Sequence, residues 1–473
     1  MTAELDEKLE ALLPVVREAG QEHLFSFWAE LSQESRRRLL DQIAEIDFKL
    51  VDRLYHNLIL EKRTVHEATL EPAPIISLAH QKKHPRECEE MRQKGEELLR
   101  CGKVGALLVA GGQGSRLGFD RPKGVYPIGP VSGKSLFQLH AEKLLARGRR
   151  YGAPIPWYIM TSKANDEETR AFFRRHDNFG YPADELFFFV QGMMPAIDSH
   201  GKIIMEAADN IFLNPDGHGG TIIASGKSGA LDDMHKRGLT EIFYFQVDNV
   251  LIDICDPLFI GYHIAKDADM SAKACSKRDA YERVGVLGKK GGKYAVIEYS
   301  DMSDKDKAAR NADGTLKYNA GSIAIHMFRV DFLTRELQSG KKLPWHLAHK
   351  QIPYLDAGGE LIQPEESNGY KFETFVFDAF ADAKTCVVLE VDRHMEFSPI
   401  KNFSGVDSPE TAMRDLCNFY ARWLEKAGVH VQRDAEGRPN AKLEINPLFA
   451  NDAEELAQKI PPGLKVEQAL YLS

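Results

Sequence analysis

Two cations and one carboxylate stand in this chain where they could handle phosphate. The run Leu107–Gly118, LLVAGGQGSRLG, carries Arg116, and Pro122-Lys123-Gly124 follows, so a guanidinium and an ammonium lie seven positions apart across a glycine-rich loop. Glycines let backbone N–H groups approach phosphate oxygens closely, because no Cβ stands in the way. Arg offers a planar fork of donors and Lys a mobile point charge, a pair suited to stabilising charge on a phosphorus during transfer. Asp248 ends the apolar run Ile242–Val247. A single carboxylate completed by phosphate oxygens and water is an ordinary Mg²⁺ site, although an Asp at that place also serves as a turn former.

Other chemistries compete for the same residues. A Walker loop needs Lys directly after its last glycine, and Gly118 is followed by Phe119. A dinucleotide fingerprint, and with it an NAD-dependent oxidoreductase, is approached by Gly112, Gly114 and Gly118, but Leu117 breaks the strict spacing and Pro122 interrupts the helix expected next. The glycines alone also fit a plain turn with two solvated cations. His346 and His349 read as a helix-surface pair rather than a zinc site, since no further ligands cluster with them. No nucleophilic triad is evident.

These residues need strands to hold them. Short apolar runs alternate with helical stretches: Val104–Ala110, Trp157–Thr161, Leu186–Val190 and Ile242–Val247 as strands, and Ser135–Arg147, Asp166–Arg175 and Ser228–Arg237 as helices. That alternation predicts a mainly parallel sheet covered on both faces, with ligands beyond the carboxyl ends of its strands. Residues 1–100 read as a separate domain of amphipathic helices, through Leu9, Leu12, Leu13 and Val16 and again Leu39, Leu40, Ile43, Ile46 and Leu50, then a link at Glu71–Ser77 and a charged helix Pro85–Arg100. Residues 101–402 read as the catalytic domain, with an antiparallel insert at about 270–330. Residues 403–473, opened by a helix over Pro409–Ala427, read as a small lobe.

Composition narrows the partners. The 473 residues include 61 Lys and Arg against 70 Asp and Glu, a net charge of −9, which argues against wrapping a nucleic-acid backbone. Charge-free windows such as 104–115 are well short of the ~20 apolar residues that span a bilayer. Met1–Glu10 is acidic and lacks the order of a secretory signal. Six scattered cysteines without a CxxC pair suit free thiols in a reducing cytoplasm.

The glycine loop and a series of motifs after it together resemble the nucleotide-sugar pyrophosphorylases, specifically the eukaryotic-type UTP:sugar-1-phosphate uridylyltransferase group and within it the UDP-N-acetylhexosamine enzymes. The matching pieces are Tyr158-Ile-Met-Thr-Ser162, Gln191-Gly-Met-Met-Pro-Ala196, Pro215-Asp-Gly-His-Gly-Gly220, Val247-Asp-Asn249, Asn319-Ala-Gly321, Phe375-Val-Phe-Asp378, Ser398-Pro-Ile-Lys-Asn402 and Glu444-Ile-Asn-Pro-Leu448. The resemblance implies an α/β, Rossmann-like (GT-A-like) nucleotidyltransferase fold, with a mixed, mainly parallel sheet, an N-terminal helical region and a small C-terminal lobe. It implies UTP and a hexose 1-phosphate as substrates, a UDP-sugar and pyrophosphate as products, and Mg²⁺ as cofactor. The oligomeric state, monomer or weak dimer, stays open, as does a non-catalytic nucleotide-sugar sensor.

By the same resemblance Arg116, Lys123 and Lys401 act on the phosphates, and Asp248 holds the metal and nucleotide. Val109, Ala110, Gly111, Gly112, Gln191 and Gly217 line the nucleotide, Gln191 having the donor and acceptor that a uracil edge requires. His218, Asn249, Gly285, Glu298 and Asn319 fall to the sugar. Several positions depart from the N-acetylhexosamine pattern. His218 replaces an Asn and matches the glucose enzymes instead, Ser322 and Ile325 replace Asn in the NAGNIANH pattern, and Thr374 stands where Lys is usual. N-acetylglucosamine 1-phosphate is the expected acceptor, with glucose 1-phosphate or a broad range of sugars as the alternative.

Overall fold

The computed structural model describes residues 2–61, 69–340 and 342–473. Its chain divides into two compact units, one of residues 1–68, 191–221 and 342–378, the other of 69–190, 222–341 and 379–473. These boundaries differ from the consecutive segments 1–100, 101–402 and 403–473. The helix Pro85–Arg100 lies in the larger unit because its backbone meets that of helix Pro257–Ala265: a Cβ on Gly95 would lie 1.9 Å from the Pro257 carbonyl oxygen, and one on Gly261 1.7 Å from that of Met91.

The larger unit is built on a ten-stranded mixed sheet. Its strands are β1 (Leu70–Pro72), β2 (Val104–Val109), β3 (Trp157–Thr161), β4 (Leu186–Val190), β5 (Glu241–Gln246), β6 (Met270–Ser276), β7 (Val286–Lys290), β8 (Lys293–Ile297), β9 (Ala320–Arg329) and β10 (Cys386–Glu390). Four of them run parallel in the order β4-β3-β2-β5. All of β2 and β3 is buried, which is why they read as unbroken apolar runs rather than as alternating ones. Beyond β5 lies antiparallel β9, whose other edge takes β6, and β6 in turn pairs parallel with β10. The expected antiparallel insert is therefore partly the sheet itself: β9 is an interior strand, while β7 and β8 form a hairpin beside its first residues. The expected link at Glu71–Ser77 holds the end of β1, which pairs with β7, and Ile76, which bridges to Leu389 on β10.

Helices seal this sheet into one apolar core that joins Leu108, Phe137, Phe173, Phe245, Phe259 and Leu424. Helix Leu136–Tyr151 starts on a Ser135 cap and stops at Gly152, where φ is 72°. The small C-terminal lobe follows on the same core. Its helix Pro409–Lys426 opens with a reciprocal Ser408–Thr411 capping box, and its strands Lys442–Ile445 and Ala469–Leu472 pair parallel.

The smaller unit contains the N-terminal helical region. Helices Thr2–Glu18, Gln33–Ala44 and Phe48–Leu54 bury Val16, Leu39, Ile43 and Val51 against Met194, Ile197, Met205 and Phe372, residues supplied by the two later segments. Those segments form a three-stranded sheet in the order Trp345–Lys350, Gly369–Thr374, Ile197–Asp198. His346 and His349 thus stand on a strand, not a helix, and their spacing of three turns them to opposite faces.

Candidate active site

In the larger unit Val109, the last residue of β2, pairs with Gln246, the last of β5. Strands β3 and β4 extend the sheet on one side of this pair and β9 on the other, so the two chains leave the sheet side by side where the strand order reverses. Open α/β sheets hold ligands outside the carboxyl ends of strands at that point. One chain continues through Ala110, Gly111 and Gly112, the other through Val247 to Asp248 and Asn249.

The loop after β2 is held from within. Lys123 N–H donates to Gly112 O at 3.1 Å and Gly114 N–H to Arg121 O at 2.9 Å. Asn165, 1% exposed, donates its side-chain amide to Ala110 O at 2.9 Å. The glycines divide by purpose. A Cβ on Gly114 would lie 2.6 Å from Phe119 O and one on Gly124 2.2 Å from the Phe137 ring, whereas one on Gly112 would meet no atom within 4 Å. Gly114 and Gly124 permit packing; Gly112 leaves open space in front of the loop.

Lys123 Nζ lies 3.4 Å from Asp248 Oδ2, and the two side chains are 19% and 16% exposed. Lys401 is exposed, with Nζ 5.6 Å from the centre of the Phe397 ring. Its segment is stitched to Asp248 through the main chain: Ile400 N–H donates to Asp248 O at 3.0 Å, and Asn249 bridges antiparallel to Pro399. Arg116 is exposed on the turn Ser115–Leu117, and a Cβ on the following Gly118 would lie 3.4 Å from the Phe403 ring. Lys123, Asp248 and the chain carrying Lys401 therefore meet, with the turn of Arg116 beside the loop after Lys401.

Asn249, expected at the sugar, is bonded to main chain. It is 3% exposed; its amide donates to Glu396 O at 2.7 Å and its Oδ1 accepts from Ser398 N–H at 3.0 Å. It clamps the segment that carries Lys401. Beneath that clamp lies buried Lys273 of β6, whose ammonium is 2.5 Å from Glu396 and 2.9 Å from Asp256. Burial raises the Glu396 carboxyl to about 7 even with Lys273 beside it. Helix Leu136–Tyr151 pins the other strand of the clamp. His140 Nε2 lies 3.0 Å from Val247 O, and Lys143 Nζ donates to Val250 O and Ile252 O at 2.7 and 2.9 Å. Burial pushes His140 down to about 3 and Lys143 to about 8.

Gly285, Asn319 and Glu298 gather at the start of β9. Ser322 N–H donates to Gly285 O at 2.8 Å, and a Cβ on Gly285 would lie 3.0 Å from a Glu298 carboxylate oxygen. Asn319 Oδ1 accepts from Lys277 N–H and its amide donates to Ser276 Oγ, fixing it to the end of β6. Because β9 runs antiparallel to β5, its first residues lie at the carboxyl edge where Asp248 stands. Ile325 belongs to the apolar core at 1% exposure, so its replacement of Asn falls inside the fold.

The smaller unit carries Gln191, Gly217 and His218. Gln191 is 7% exposed and follows directly on β4. Gly217 has φ of 84°, and a Cβ there would lie 2.3 Å from Thr374 O. Thr374 N–H and Oγ1 both donate to Asp216 O, at 2.7 and 3.0 Å, so the residue that replaces the usual Lys locks this loop. His218 Nδ1 accepts from Val376 N–H at 3.2 Å, and its ring stacks on Phe375 at 5.3 Å. Burial, then His346, lowers its pKa to about 4, so the imidazole is neutral. Its contacts are those of a turn holder.

Two carboxylate sets bear on a divalent cation. Asp253, Asp256 and Glu396 offer oxygens within 4.8 Å of one another, a set that could hold one, although the Lys273 ammonium sits against two of the three. Asp248 is partly exposed at the loop edge and offers the hard oxygen donor that Mg²⁺ takes alongside phosphate oxygens and water. Sequence reasoning missed Asn165, His140, Lys143, Lys273 and Glu396. The one local signal among them was a Lys inside the apolar run of β6, where a charge requires a buried partner.

The family described as UTP--glucose-1-phosphate uridylyltransferase matches residues 48–469. The chain is 38% identical to UDP-N-acetylglucosamine pyrophosphorylase of Saccharomyces cerevisiae, over 93% of this chain and 95% of that one. It is 37% identical to human UDP-N-acetylhexosamine pyrophosphorylase-like protein 1, over 93% and 92%. Among solved structures it resembles the uridine diphosphate N-acetylglucosamine pyrophosphorylase of Trypanosoma brucei in complex with inhibitor, with TM-score 0.85 and 28% identity, covering 98% of both chains. Among the described residues no helix is long and apolar enough to cross a membrane.

Proposed function

Since the chain belongs to the UTP--glucose-1-phosphate uridylyltransferase family and is a UDP-sugar pyrophosphorylase, we propose that its acceptor is N-acetylglucosamine 1-phosphate, which it joins to UMP from UTP. The observation that carries this choice is the 38% identity, across 93% of the chain, to a UDP-N-acetylglucosamine pyrophosphorylase. His218, a position that matches the glucose enzymes, carries less weight, because its Nδ1 accepts from Val376 N–H and its ring stacks on Phe375.

In this reading an oxygen of the sugar phosphate attacks the α-phosphorus of UTP, and the bond from that phosphorus to the bridging oxygen breaks to release pyrophosphate. The attacking group is already an anion, so no side-chain nucleophile or strong base is required. Catalysis consists of alignment and charge neutralisation. Lys123, Arg116 and Lys401 supply positive charge around the phosphates, and Gly112 gives them room. A Mg²⁺ ion held by Asp248 would neutralise phosphate charge when bound. Gln191 and Gly217 serve the base, and Glu298, Asn319 and Ser322 serve the sugar, while Asn249 keeps Lys401 in place.

The test is pyrophosphate release from UTP with each sugar 1-phosphate separately. N-acetylglucosamine 1-phosphate should give the highest kcat/KM; activity with glucose 1-phosphate alone would overturn the assignment.

A further inference from the structure

The two lysines of the site are held differently. Lys123 Nζ faces the Asp248 carboxylate at 3.4 Å, whereas the Lys401 ammonium has no ion-pair partner among the described residues. It lies instead over the Phe397 ring, 5.6 Å from the ring centre, inside the ~6 Å within which a cation is drawn to an aromatic face.

The ring is itself fixed. Asn249 spans Phe397, its amide donating to Glu396 O at 2.7 Å on one side and its Oδ1 accepting from Ser398 N–H at 3.0 Å on the other. Phe397 N–H donates to Arg393 O at 2.9 Å, and the half-buried ring packs against the apolar core of the sheet. A second cation bears on the same ring, since Arg393 Cζ also lies 5.6 Å from its centre. Arg393 is paired with Glu282 at 2.9 Å, so its charge is compensated while that of Lys401 is not. The main chain of Lys401 is tied as well: its N–H and that of Asn402 both donate to Asp407 O, at 2.7 and 3.0 Å, closing the loop 401–407 at its base. The side chain is what remains to be placed, and the ring bears on it.

We propose that Phe397 is a positioning residue for the transfer step, its ring restricting where the Lys401 ammonium sits. An exposed lysine otherwise samples many rotamers, most of which hold its charge away from the phosphates when it is needed. A carboxylate would hold the ammonium more tightly, but it would cancel the charge that the phosphates require. The ring orients the cation, leaves its charge uncompensated and attracts it weakly enough to yield to a phosphate oxygen. This role rests on Lys401 acting on the phosphates.

The experiment is steady-state pyrophosphate release by the full chain, with UTP, Mg²⁺ and the sugar 1-phosphate that it turns over fastest. Phe397→Leu keeps apolar bulk and removes the aromatic face; kcat should fall about fivefold, the upper range for an exposed cation over a ring. Phe397→Tyr, which restores a ring, should recover most of that loss. Mono-, di- and trifluorophenylalanine at position 397 keep the ring's shape while drawing electron density from its face, so kcat should fall stepwise with each fluorine. In a Lys401→Ala background neither Phe397→Leu nor fluorination should lower kcat further. Should the melting transition show that Phe397→Leu does not fold, the fluorinated series decides, because its side chains are nearly native in size. Native kcat across the Phe397 variants, beside a slow Lys401→Ala, overturns the role of Phe397. A fluorine dependence that persists in Lys401→Ala overturns it too, since the ring then acts through something other than Lys401. Native turnover in Lys401→Ala overturns instead the action of Lys401 on the phosphates, and the positioning role falls with it.

Discussion

Lys123 Nζ stands 3.4 Å from Asp248 Oδ2, which ties the loop leaving β2 to the loop leaving β5 across the reversal in strand order. The pair places a cation and an acid, both mostly screened from solvent, where a phosphate chain and its metal would need them.

Asp248→Asn keeps the shape of the side chain and removes its charge. The expected outcome is a loss of Mg²⁺-dependent turnover of at least about 100-fold, the scale of removing one group that stabilises transition-state charge, with an unchanged melting transition. Near-normal turnover at saturating UTP and Mg²⁺ would take Asp248 out of the metal role.

His218 gives a pH prediction. Its folded pKa of about 4 lies below the ordinary histidine value of 6.5, so between those values the unfolded chain binds the extra proton. Stability contributed by neutral His218 is therefore complete above pH 6.5 and lost as pH falls toward 4, by up to about 3 kcal/mol. Denaturant midpoints measured across this window should fall less steeply in His218→Asn than in the native chain. Parallel slopes would show that His218 is not held neutral by the fold.

Selectivity should follow Ser322 and not His218. Ser322 lies beside Gly285 at the carboxyl edge of the sheet, while His218 bonds Val376 N–H through Nδ1 and stacks on Phe375. Ser322→Asn should change the ratio of kcat/KM for N-acetylglucosamine and glucose 1-phosphates by about five- to thirtyfold, the range of one neutral hydrogen bond or more. His218→Asn should leave that ratio within about twofold. A reversed pattern in the two variants would return the sugar to His218.

Lys273→Met removes the only ammonium among the described residues bonded to both Glu396 and Asp256. Two buried carboxylates then lack their cation, and unfolding free energy should drop by about 3–5 kcal/mol. Adding Glu396→Gln and Asp256→Asn should restore much of it. If Lys273→Met alone unfolds at the native denaturant concentration, the network is not holding the clamp under Lys401.

The parallel half of the sheet was legible because strands buried on both faces write themselves as unbroken apolar runs. Val104–Val109 and Trp157–Thr161 fall where that pattern puts them, while the edge strand Leu186–Val190 is as apolar in sequence but only half-buried; helix Asp166–Arg175 also stands where expected. Strand β6 was not legible, since Ser271 and Lys273 interrupt its apolar run and Glu396, a partner of Lys273, lies far along the chain. Helix Pro257–Ala265 was missed for a related reason: it is apolar on nearly every side, so no amphipathic stripe marks it. In the candidate site the glycine loop and Asp248 stood out by residue type and spacing. Asn249 was visible but its use was not, because a carboxamide aimed at main chain and one aimed at a sugar read identically until residues 396–398 are placed beside it.

The smaller unit draws its core from three stretches of chain, and this sets a timetable for synthesis. The apolar faces of the first helices, with Val16, Leu39 and Val51, find Met194 and Ile197 only once the second stretch has been made, and Phe372 only once the third has. Until then the amino-terminal helices expose surface that the finished protein hides. These helices are thus completed late, which makes their apolar faces dependent on protection from aggregation while the rest of the chain is made.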